Sequence, residues 1–109
     1  MPAIEIKKSD WKLFRERLPE WQEHYMEQLE KQYIDLLQSD ALASEKFWEL
    51  EERIKYDKKR PGVRLTLDKK EVDFDLLHLI KDGAISFDDL DGFSQELIDR
   101  VRELFEMKW

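Results

Sequence analysis

His24 and His78 are the two side chains whose ordinary titration lies near neutral pH, so any proton shuttle would start from one of them. His24 follows Glu20 by four residues, which places both on one helix face and makes half a metal site. A zinc site needs at least three protein ligands, and no third stands in register, so no metal is expected. His78 lies between Leu77 and Leu79 and reads as a half-buried packing residue. The run from Asp82 through Gly83 to Asp89 echoes the second half of a calcium-binding EF-hand loop. Aligned on Gly83, its first and third ligand positions fall on His78 and Ile80, neither of which suits that hard cation. The run reads better as a helix end, a glycine cap and a short turn. Asp88, Asp89 and Asp91 crowd together in the same stretch, where carboxylates serve a helix start as caps and dipole partners. The chain has no cysteine, hence no thiol nucleophile and no disulfide framework. It also has no H-E-x-x-H, phosphate loop or G-x-S-x-G motif. These residues point to a protein that is not an enzyme and carries no cofactor or small-molecule ligand.

The remaining chemistry is that of surfaces. Four tryptophans are many for 109 residues. Trp11, Trp48, Tyr56 and Trp109 are the candidate interface residues: Trp48 and Tyr56 lie beside their helix stripe and Trp109 is the last residue, and large aromatics at the margin of a core favour interfaces. Charge is segregated. Residues 55–70 hold seven cations against two carboxylates, with Lys55, Lys58, Lys59, Arg60 and Arg64 as a basic patch extended by Lys69 and Lys70. Residues 71–99 hold nine carboxylates against Lys81, and Asp82, Asp88, Asp89 and Asp91 are the candidate acidic patch. Two solvated faces that partly neutralise each other would explain this, as would a patch that meets a partner.

Helices must position these groups. Ser9 is an N-cap candidate for a first helix carrying Trp11, Phe14 and Leu18, and Pro19 should stop or kink it. A second helix over residues 20–38 carries Trp21, Tyr25, Leu29, Tyr33, Leu36 and Leu37 at spacings of three and four. A third begins near Ser44, builds a stripe from Phe47, Leu50 and Ile54, and fades at Lys58-Lys59-Arg60 before the Pro61-Gly62 breaker. Val63, Leu65 and Leu67 alternate as a strand does, and so do Ile4 and Ile6, so a short two-stranded pairing is an open alternative. Residues 69–82 are expected to be helical, closed by Gly83. Ser86 and Asp89 form a short capping pair. Ser94 caps a last helix over 95–109 whose buried stripe is Leu97, Val101, Leu104 and Phe105, with Arg100, Arg102 and Lys108 toward its cation-favouring end.

The length suits one domain over residues 1–109. Equal shares of hydrophobic and charged residues, 41% each, require sharply two-faced helices. A net charge of −7 argues against nucleic-acid binding by the whole chain. Residues 1–10 lack the apolar core of a signal peptide, and no run is apolar enough to span a membrane. Together with the missing cysteines, this points to a cytoplasmic location.

Trp11-Lys12-Leu13-Phe14-Arg15-Glu16-Arg17-Leu18-Pro19-Glu20-Trp21-Gln22, with Phe47-Trp48-Glu49-Leu50-Glu51 and Arg60-Pro61-Gly62-Val63 later, resembles small uncharacterised proteins of Firmicutes and their mobile elements. So does Asp82-Gly83-Ala84-Ile85 followed by Asp88-Asp89-Leu90 and Phe93-Ser94. The resemblance covers most of the chain. It implies a helical bacterial accessory protein and brings no catalytic motif.

The expectation is an all-α bundle of about five helices that acts as a protein–protein interaction module and pairs with itself as a homodimer. The alternative is an acidic inhibitor, a nucleic-acid mimic whose carboxylates occupy a basic groove on another protein.

Overall fold

The first helix does not stop at Pro19. In the computed structural model, which describes residues 4–107, α1 (Lys8–Leu37) runs unbroken for 30 residues with Pro19 inside it. At 1.5 Å per residue it spans about 45 Å, most of the molecule's 51 Å long axis. The proline ring lies on the exposed side, where water can serve the Arg15 carbonyl that loses its amide partner. Phe14 and Leu18 before it, and Trp21 after it, all pack on one core. A break would turn one of these groups away from that core, and burial of the stripe outweighs the proline penalty of about 3 kcal/mol. Ser9 is not the cap either. The cap position is Lys7, two residues earlier, and its side chain makes no cap bond.

Three further helices follow: α2 (Ala43–Asp57), α3 (Val72–Lys81) and α4 (Gln95–Glu106). Short 3-10 turns at Lys69–Glu71 and Phe87–Leu90 introduce and follow α3. The bundle is therefore four α-helices, where five were expected. Among the described residues there is no strand. The amides of Val63 and Arg64 turn back to the Arg60 carbonyl at 2.9 Å, so the chain leaving α2 closes on itself and does not pair with another segment. Residues 64–68 belong to no regular element, with Leu65 laid against the core and Leu67 half in water. Ile6 also enters the core from extended chain, without a ladder.

The caps at Gly83, Ser86 and Ser94 form as expected. Gly83 takes a φ of 80°, its amide reaches the Ile80 carbonyl at 3.0 Å, and the Ala84 amide reaches that of Leu79 at 2.9 Å. This is the six-to-one and five-to-two bonding of a Schellman cap. Ser86 and Asp89 form a capping box, and Ser94 caps α4 by accepting from the Leu97 amide.

The core lies at one end of the molecule. Val72, Leu76, Leu77 and Leu79 of α3 are sealed between Leu97, Val101 and Leu104 of α4 and Phe14 and Leu18 of α1. Arg100, expected toward the cation-favouring end of the last helix, is buried against Asp73 of α3 at 3.2 Å. Asp10 is also buried. Its carboxylate accepts from the Ser94 amide at 2.8 Å and from the Ser94 hydroxyl, tying the start of α1 to the start of α4. His78, expected to be half-buried, faces solvent between two buried leucines. The far half of α1 extends beyond this core and carries α2 alongside it as an arm. No hydrophobic residue of α2 is buried.

Candidate interaction surface

The arm is closed by polar contacts. Lys46 donates to the carbonyls of Leu37 and Ser39 at 3.0 Å each, fastening the turn between α1 and α2. At the other end the Tyr33 hydroxyl donates to the Asp57 carboxylate. Burial, and then this hydrogen bond, pushes the Tyr33 phenol up to about 12. Arg60 reaches Asp57 at 3.5 Å and donates to the Tyr25 hydroxyl at 3.0 Å. Gln22 donates to the Pro61 carbonyl at 3.0 Å. Gly62 lies flat on the Tyr25 ring, so close that a Cβ there would sit 2.4 Å from a ring carbon.

The side of α2 that faces α1 therefore carries Lys46, Arg53 and Asp57, with Leu50 at its edge. This turns the apolar stripe of α2 sideways, into water. Phe47 is 62% exposed and Ile54 39% exposed, with Leu50 half-buried between them. A groove of about 480 Å³ runs along Phe47, Leu50 and Ile54, rimmed by Glu51, Lys55 and Lys58. It continues at Ile54 and Lys58 into a hollow of about 230 Å³ whose apolar walls are Met26, Leu29, Tyr33, Ile54 and Val63. Ile34, Leu37 and Leu42 add further exposed apolar surface near the tip of the arm.

The residues singled out as surface groups are scattered over the molecule. Trp48, 60% exposed, meets the Phe47 ring edge-on with centroids 5.0 Å apart. Tyr56, 63% exposed, is roofed by Arg60 at 4.7 Å. Trp11 is half-buried, stacked on Phe14 and covered by Arg15, so it edges the core at the opposite end from α2. Trp109 lies outside the described residues. The basic patch is divided: Lys55 and Lys58 rim the α2 groove, Arg60 turns inward and Arg64 is exposed elsewhere. The acidic patch is divided too. Asp82 borders a cleft against α1, Asp89 is spent on its capping box, and the carbonyls of Asp89 and Asp91 hold Arg17. The sequence does not mark Met26, Tyr33 and Val63 as surface groups: Tyr33 belongs to the apolar stripe of the long helix, Val63 to an alternating segment, and Met26 to neither.

The cleft that Asp82 borders is a polar hollow of about 450 Å³ between His24, Gln28 and Gln32 on one side and Arg60 and Gly83 on the other. Its guanidinium is already engaged by Tyr25 and Asp57. Among the described residues, no group of three or more His, Cys, Asp or Glu side chains is placed to hold a metal ion. No helix among them is long and apolar enough to cross a membrane. No protein-family model, curated protein or solved structure matches the chain.

Proposed function

We propose that this protein is an interaction module that works by self-association, with the α1–α2 arm as its contact surface. The observation that carries this reading is the uncovered stripe Phe47, Leu50 and Ile54. A helix with one apolar side normally buries that side, because exposed apolar area costs about 25 cal/mol per Å². Among the described residues nothing covers it, and polar bonds hold α2 in an orientation that keeps the stripe open. A cover from another molecule removes that cost. The spacing of three and four residues is that of a helix-pairing seam.

Sedimentation equilibrium tests it. At tens of micromolar the wild-type chain is expected to show twice its 13.3 kDa mass, and the F47E/I54E variant one chain mass with unchanged helical content. Both side chains are exposed, so the variant is expected to fold. A wild-type protein that stays monomeric at about 100 µM sinks the proposal.

A further inference from the structure

Asp75, near the start of α3, is buried, and its Oδ2 is sealed from solvent without a hydrogen-bond partner among the described residues. The charges that act on it share its sign. Glu71 stands on the 3-10 turn ahead of α3, Asp68 caps that turn, and Asp73 lies on α3 itself. The cations of the neighbouring elements do not neutralise it. Arg100 of α4 is paired with Asp73 at 3.2 Å. Lys69 and Lys70 line a recess with Ile4, Glu5 and Ile6, and His78, one turn along α3, faces solvent. An ionised oxygen that has neither water nor a donor is strongly disfavoured, so the closed structure requires the protonated acid. To ionise, Asp75 must be opened to water.

The part that opens most easily is the strap of residues 64–71, which joins the arm to α3. None of its residues is buried. Its turn is held by two bonds to Asp68: the Glu71 amide reaches the Asp68 carbonyl and the Lys70 amide the Asp68 carboxylate, each at 3.0 Å. The rest of α3 seals Val72, Leu76 and Leu79 completely. A segment with few apolar contacts opens before a packed core does. We infer that Asp75 is an acid-operated catch: protonated, it lets the strap of residues 64–71 close on the start of α3, and ionised, it requires that strap to lift so that water reaches Oδ2. The direction follows from linkage. Closed, the carboxyl keeps its proton to about 7, and open, it ionises near its ordinary 3.8. Both states are protonated below about pH 4, where the strap is shut most firmly. From there each pH unit favours the open state by up to about tenfold, and above about pH 7 the gain levels off near a thousandfold. Acidification therefore tightens the link between arm and core.

Amide hydrogen exchange, corrected for its intrinsic pH dependence, reads the opening at Lys70 and Glu71. In the wild type their protection is expected to fall by up to about tenfold per pH unit from about pH 5 to about pH 7. They should exchange ahead of Leu79 and Val101, whose amides report the core. In D75N the fall is expected to vanish. Carbon NMR of the Asp75 carboxyl supplies a measurement on the unaltered chain. Its midpoint is expected near pH 7, and lower in E71Q, which removes the first of the neighbouring charges. A midpoint near pH 4 in the wild type overturns the buried acid, and the catch with it. A fall in protection that persists undiminished in D75N belongs to another group, such as His78, and also overturns the catch. A midpoint near pH 7 with protection at Lys70 and Glu71 that does not change with pH means that the strap is not what moves, and overturns the proposal as well.

Discussion

Replacing Asp75 with asparagine should stabilise the protein at alkaline pH and leave it almost unchanged in acid. Asp75 is 9% exposed on α3, and its Oδ2 has no hydrogen-bond partner among the described residues. Burial, followed by the charges of Glu71, Asp68 and Asp73, pushes its carboxyl up from 3.8 to about 7. In the unfolded chain this carboxyl ionises near its ordinary value, whereas in the folded chain it keeps its proton until about pH 7. A raised folded value means that the group's favourable share of stability is complete below about pH 4, declines from pH 4 to pH 7, and is lost above it. Three units at about 1.4 kcal/mol each set a ceiling of about 4 kcal/mol. The D75N side chain cannot ionise and escapes that decline. Melting followed by circular dichroism at pH 4 and pH 8 reads the difference. At about 4 °C per kcal/mol for a chain of this size, the gap between D75N and wild type should grow from near zero at pH 4 to about 10 °C or more at pH 8. A gap that stays constant with pH would mean that Asp75 ionises in the folded protein as easily as in water, and would refute the reasoning.

Removing the Asp10 clamp in D10A leaves the Ser94 amide without its acceptor and should cost about 2–3 kcal/mol in urea unfolding. The D10N variant keeps one acceptor and should lose less, and two variants with the wild-type midpoint would dismiss the clamp. The R100M substitution strands the buried Asp73 carboxylate and should cost about 3–5 kcal/mol, most of it recovered in D73L/R100M. A double variant no more stable than R100M would contradict this account of the pair. The P19A substitution restores an amide to the exposed side of α1 and should raise the melting temperature, with about 3 kcal/mol as the upper limit. A fall in melting temperature would show that the ring contributes more to α1 than it removes.

The helical content and most helix ends of this protein are legible in its sequence because the devices that set them are local. Gly83 closes α3 through its own amide bond three residues back and that of Ala84 five residues back. Ser86, Asp89 and Ser94 each act within a turn of their own position. The buried stripes of α1, α3 and α4 follow the same short spacing. Pro19 is read wrongly because its local cost is real but is outweighed by Phe14, Leu18 and Trp21 converging on one core, a contact between segments about 60 residues and more apart. The same distance hides the Arg100–Asp73 pair and the Asp10–Ser94 clamp, since nothing near Arg100 or Asp10 announces its partner. Val63, Leu65 and Leu67 alternate, but alternation makes a strand only where another segment offers its backbone.

The candidate surface divides along the same line. Phe47, Leu50 and Ile54 are recognisable from sequence as one face of a helix. Whether that face turns into the chain's own core depends on the rotation of α2 about its axis. Lys46, Tyr33 and Asp57 decide that rotation, through bonds that span up to 24 residues and hold the polar side of α2 against α1. Local spacing thus determines that α2 is two-faced, and only the tertiary structure decides that its apolar face is the one left open.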